Sequence, residues 1–70
     1  QDVAMHIQLN GAPAELPKDS SLSDLLATLD LQNKRFAAEV NEELIPRSEH
    51  ASHLLQAGDR VEIVQAIGGG

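Results

Sequence analysis

The sequence predicts an α+β roll, with a mixed sheet packed on one main helix. A polar/apolar hairpin opens the chain, at His6-Ile7-Gln8-Leu9-Asn10-Gly11. A leucine stripe at helical spacing follows it, and a long alternating segment, Arg60 to Ala66, comes last. Each has a periodicity suited to only one kind of element.

The elements can be justified in order. His6 to Asn10 alternates as a half-buried strand should, and Asn10-Gly11 is the strongest short hairpin signal because both residues accept positive φ. Ala12-Pro13-Ala14-Glu15-Leu16 is the return strand. Pro13 lacks a backbone donor, which places this strand at a sheet edge. Pro17 to Ser20 is a loop. Ser21 is a helix N-cap with Asp24 in the capping-box position, and the helix is expected over residues 22–30. Its stripe, Leu22, Leu25, Leu26 and Leu29, is expected to bury against Ile7, Leu9, Val61 and Ile63.

Gln32 to Arg35 is a polar connection. Phe36, Ala38 and Val40 alternate inward on a third strand, Asn41-Glu42-Glu43 turns, and Leu44-Ile45 is a short fourth strand ended by Pro46. Residues 48–53 suit a helical turn, Leu54-Leu55 are expected to plug the core, and Ala57-Gly58-Asp59 turns into the final strand. On that strand Val61 and Ile63 face one way and Glu62, Val64 and Ala66 the other. This order, with the last strand parallel to the first, is that of the β-grasp (ubiquitin-like) roll.

Bulk properties narrow the function. Seventy residues make one small domain, with no room for an enclosed substrate cavity. Phe36 is the sole aromatic, so the core is aliphatic, and the absence of cysteine excludes disulfides and thiolate metal sites. The net charge of −6, from 11 acidic and 5 basic residues, argues against nucleic acid and suits docking on a basic partner surface. No apolar run approaches the roughly 20 residues of a membrane span, and no signal peptide is evident. The expected compartment is the cytoplasm. Met5 is the only methionine, which suggests that it is the natural start and that residues 1–4 are a leader. The domain is then expected over residues 5–66, with a flexible tail at 67–70.

That tail, Ile67-Gly68-Gly69-Gly70, is the main functional candidate. An all-glycine end is thin and leaves its carboxylate unhindered. Three residues at about 3.3 Å each carry that carboxylate about 10 Å from the body. The other candidates read as structural. His50 and His53 lack a third ligand, Glu42-Glu43 suits a solvated turn, Ser20-Ser21-Ser23 suits helix capping, and Arg47 suits a solvated cation better than a pair with a partner carboxylate. No nucleophile, base and oxyanion site assembles, so the chain is not expected to be an enzyme. Val64 and Ala66 face away from the helix on the strand leading to the tail. They are the expected partner-docking patch.

Two stretches carry a resemblance. Val40-Asn41-Glu42-Glu43-Leu44-Ile45-Pro46-Arg47 and Gly58 to Gly70 resemble the V-N-x-x-x-[VI]-P-R segment and glycine-ended C-terminal strand of the ThiS family, sulfur carriers of thiamin biosynthesis. Met5 to Gly11 is similar to that family's first strand and turn. Family members often carry Trp or Tyr a few residues after the Pro-Arg pair, where His50 stands here. The molybdopterin-synthase sulfur carriers of the MoaD family tend to be longer and richer in aromatics, with a proline on the approach to Gly-Gly.

The resemblance implies that Gly70 is adenylated by a ThiF-like adenylyltransferase using ATP. A persulfide donor then supplies sulfur to give a thiocarboxylate, which a ThiG-like thiazole synthase consumes. It implies no bound cofactor or metal, and a narrow partner channel that requires Gly68 and Gly69. Two further readings share the same features. One is a ubiquitin-like modifier or binding module that forms an isopeptide bond to lysine. The other is an interaction domain with an inert tail.

Overall fold

The computed structural model describes residues 4–31 and 33–65. The chain opens with β1 (Ala4–Leu9) and β2 (Ala12–Pro17). They pair antiparallel, and Asn10 and Gly11 turn between them at φ 51° and 83°. Two consecutive positive φ values match the twist of the flanking strands, as the Asn-Gly pair predicts. The sheet order is β2-β1-β5-β3-β4, using β3 (Phe36–Val40), β4 (Glu43–Ile45) and β5 (Arg60–Gln65). β2, with Pro13, is at an edge as expected. β5 lies between β1 and β3, parallel to the first and antiparallel to the second. This is the β-grasp arrangement.

The helix α1 covers Leu22–Ala27, three residues short of expectation. Thr28 stops it. Its Oγ1 and its backbone N–H both donate to the Leu25 carbonyl, at 2.7 and 3.0 Å, and Leu29 N–H donates to Leu26 three residues back. The last turn thus tightens, and Leu29 falls beyond the helix as a half-buried residue.

The other end is fully satisfied. Ser21 Oγ accepts from Asp24 N–H at 3.0 Å, and Asp24 Oδ2 accepts from Ser21 N–H at 2.9 Å, completing the capping box. Leu22 N–H donates to the His53 carbonyl (2.8 Å) and Ser23 N–H to that of His50 (3.0 Å). The segment after β4 therefore serves as part of the helix cap. It begins as a 3-10 turn, Arg47–Glu49.

Met5, Ile7, Leu16, Leu22, Leu25, Ala38, Val40, Ile45, Leu55 and Val61 form the buried core, with Leu9, Ala14, Leu26 and Ile63 packed against it. Leu54 does not join it. It is 57% exposed, against 3% for Leu55. Leu54 bridges Ser21 in extended backbone, and neighbours in such backbone point to opposite sides, so only one of the pair can face inward.

Candidate functional site

The site to be placed is the root of the tail and the sheet face beside it. β5 delivers both. Its start is fixed by two residues of the motifs quoted above. Asn41 N–H donates to the Arg60 carbonyl (2.7 Å). Asn41 Oδ1 accepts from Arg60 N–H (2.9 Å), and its Nδ2 donates to Asp59 Oδ1 (3.0 Å). Asp59 Oδ2 accepts from Gln56 N–H (2.8 Å), closing the turn that contains Gly58 at φ 88°. Asn41 itself has φ 53°, a left-handed geometry that Asn tolerates better than most residues. The two motifs therefore meet as one clamp on the entry to β5.

Toward its exit, β5 is held differently. Its parallel register with β1 covers Arg60 and Val61 only. Beyond that, Asn10 Oδ1 accepts from Ile63 N–H at 2.8 Å, a side chain standing in for a strand carbonyl. On the other side, β3 continues to Gln65, which lies opposite Phe36. Gln65 is the last described residue. Ala66, Gly68, Gly69 and Gly70 lie outside the described residues, so the expected docking role of Ala66 and reactive role of Gly70 receive no geometry.

Val64 is described and is 56% exposed, on the sheet face away from α1, as its alternation with Ile63 predicts. It lies opposite the exposed Ala37. Leu44 is 61% exposed and opposite Glu39, which is in turn opposite Glu62. Directly opposed residues share a face. The outer face therefore carries Val64, Ala37 and Leu44 beside two carboxylates. Leu44 and Ala37 were missed as site residues. The inward alternation of Phe36, Ala38 and Val40 already assigned Ala37 outward, but the facing of a two-residue strand could not be read.

Arg47, Phe36 and His50 form a second group at the tail end of the sheet. The Arg47 guanidinium carbon lies 5.7 Å from the Phe36 ring centroid. Phe36 and His50 stack with centroids 6.3 Å apart and an interplanar angle of 25°. The Ile45 carbonyl can only accept, so His50 Nε2 donates to it at 3.0 Å. His50 thus fills an aromatic role in packing. Two of the candidate serines are structural too. Ser20 Oγ donates to the Pro17 carbonyl and Ser21 caps α1. Among the described residues, no three His, Cys, Asp or Glu side chains gather to hold a metal. A cleft of about 660 Å³ touching Met5, Lys18, Leu55 and Gly58 opens at the end of the sheet away from the tail. No helix among the described residues is long and apolar enough to cross a membrane.

Comparison with known proteins agrees with this architecture. The ThiS family model matches residues 7–70. The sulfur carrier protein ThiS of Bacillus subtilis is 38% identical over 65 residues, covering 91% of this chain and 98% of that protein. A thiazole synthase of Paramagnetospirillum magneticum is 33% identical over 66 residues, covering 94% of this chain but 20% of that protein. The crystal structure of the thiamine biosynthesis protein ThiS from Geobacter metallireducens superimposes with a TM-score of 0.80 at 26% identity, covering 94% of this chain and all of that one. With the hairpin, the Asn41–Asp59 clamp and the glycine tail inside the matched region, the chain belongs to the ThiS family.

Proposed function

We propose that this chain is a sulfur carrier for thiazole formation in thiamin biosynthesis, with the carboxylate of Gly70 as the carrying group. The observation that carries the reading is a family match running through Gly68, Gly69 and Gly70, on a fold whose last strand leads to that tail. A free carboxylate is a poor electrophile. In the proposed reaction its oxygen attacks the α-phosphorus of ATP on a ThiF-type adenylyltransferase, giving an acyl-adenylate and pyrophosphate. A persulfide then displaces AMP to give an acyl disulfide, and a second thiol attacks the donor's sulfur of that S–S bond, forming a disulfide with the donor and leaving Gly70 as a thiocarboxylate. The adenylyltransferase supplies the ATP site, and the carrier supplies the reacting carboxylate.

Thiazole synthase is the proposed acceptor. The match to a fifth of a protein of that name favours it, since a carrier unit within the same chain as its acceptor is a direct form of partnership. The patch of Val64, Ala37 and Leu44 is the proposed docking face for the adenylyltransferase, with Ala66, two positions beyond Val64 in the chain, proposed to take part. Isopeptide tagging of a lysine and sulfur transfer to molybdopterin are the competing readings.

The test is pyrophosphate release with the adenylyltransferase and ATP. One residue added after Gly70 abolishes it, as does removal of Gly69-Gly70, while the melting temperature barely moves, because a short glycine tail contributes little packing. Gly69→Val slows it, since a β-branched residue widens and stiffens the tail. Mass spectrometry of the chain from thiamin-producing cells shows sulfur replacing oxygen at Gly70. Equal activation of the extended chain sinks the reading, and a branched lysine conjugate favours tagging.

A further inference from the structure

Cations are scarce in this chain and unevenly placed. Of the 5 basic residues, Lys34 and Arg35 immediately precede Phe36 in the chain and Arg47 lies over its ring. Phe36 lies opposite Gln65, the last described residue of β5, so the Arg47 guanidinium stands near that end of the strand. Two carboxylates stand on the outer face further back, where Glu39 and Glu62 lie opposite one another. Moving back along β5, the outer face is apolar at Val64 and then anionic at Glu62, while Arg47 stands beside Phe36, whose ring belongs to the inward-alternating side of β3.

Arg47 is the most telling member. It is exposed, and among the described residues it lies on the Phe36 ring rather than on a carboxylate, although Glu49 is only two positions away. The ring limits where the guanidinium can go, and Phe36 is itself held against His50. A charged group positioned before binding loses less freedom on binding. A guanidinium presents a planar fork of donors that fits a carboxylate in two-point contact.

We propose that Arg47 is a docking residue for a carboxylate on the protein that receives the tail, at the rim of that protein's active-site entrance. The contact sets orientation. An acidic rim meets Arg47, an apolar surface meets Val64 and Leu44, and a basic surface faces Glu39 and Glu62, so that only one approach aims the tail at the entrance. A basic partner surface attracts the chain from a distance, and Arg47 decides how it seats. The inference rests on the sulfur-carrier reading and names the chemistry of its first partner.

The experiment measures pyrophosphate release by the ThiF-type adenylyltransferase of the same organism against carrier concentration, for the intact chain and for Arg47→Glu, Arg47→Gln and Arg47→Lys. The charge reversal raises the KM for carrier about five- to tenfold with kcat within about twofold, as expected for loss of a rim charge pair. Gln gives a smaller rise than Glu, and Lys restores only part of the loss, because an ammonium keeps the charge without the two-point fork. Melting temperatures stay within about 2 °C, because Arg47 is a surface residue. Equal KM for Arg47→Glu and the intact chain overturns the proposal. A KM rise in Arg47→Gln that tracks a falling melting temperature also overturns it, since Arg47 then acts only through packing on Phe36. No release from the intact chain at any concentration overturns the carrier reading itself, and this inference with it.

Discussion

Asn41 shows how much one residue can organise. It accepts a left-handed φ at a turn, bonds Asp59 through its amide nitrogen and receives Arg60 N–H on its oxygen. Asn41→Ala removes both side-chain bonds and strains the turn, so it is expected to cost about 1–3 kcal/mol, read as a lower midpoint in urea unfolding. A midpoint equal to that of the native chain shows that the clamp is dispensable. Val64 poses the opposite case. Val64→Asp is expected to leave the unfolding midpoint nearly unchanged, because the side chain is already in water, and to weaken binding to the adenylyltransferase in calorimetry. Unchanged affinity means that the patch is incidental. The facing of Val64 was legible because alternation along a six-residue strand is unambiguous. The grouping of Arg47, Phe36 and His50 was not. It depends on how β3, β4 and the 3-10 turn meet, and no local spacing encodes that.

At the scale of elements, local chemistry was most legible where it is self-contained. Asn10-Gly11 fixed the first hairpin, Pro13 fixed an edge, and Ser21 with Asp24 fixed the helix start. The helix end was less so, because the leucine stripe continues to Leu29 while the Thr28 hydroxyl takes the Leu25 carbonyl. The Leu54-Leu55 pair failed for a related reason: two adjacent apolar residues do not say which one the backbone turns inward. α1 is only six residues, so its stability comes from burial rather than propensity. Leu25 lies in the core, and Leu25→Ala is expected to cost about 2–5 kcal/mol, a large share of the stability of so small a domain. Thermal unfolding checks this, and a loss below about 1 kcal/mol means that the helix is not the keystone of the core.

For the whole molecule, charge and shape divide the labour. The net charge of −6 acts over a distance, whereas the apolar face acts only in contact. Association with a basic partner is therefore expected to slow as salt rises, since steering is screened beyond about 8–10 Å at moderate ionic strength, while dissociation changes little. Stopped-flow measurements across salt concentrations separate the two rates, and a salt-independent association rate points to a purely apolar encounter. The parallel pairing of the first and last strands was legible because a hairpin, a crossover helix and a closing strand leave few arrangements.

The uneven grip on β5 has a mechanical consequence. Its entry is clamped between Asn41 and β1, whereas residues 62–65 lean on β3 and on the Asn10 amide. Such a strand is expected to open first at its exit, where one neighbouring strand rather than two holds it. Peeling it back from Gln65 lengthens the reach of the tail by about 3.3 Å per residue and leaves Val61 in the core. Asn10→Gly keeps the backbone of the turn but removes the acceptor for Ile63 N–H, and it is expected to speed amide exchange at Ile63 far more than at Val61. A partner with a deep channel would then find a longer arm, lent by the fold itself.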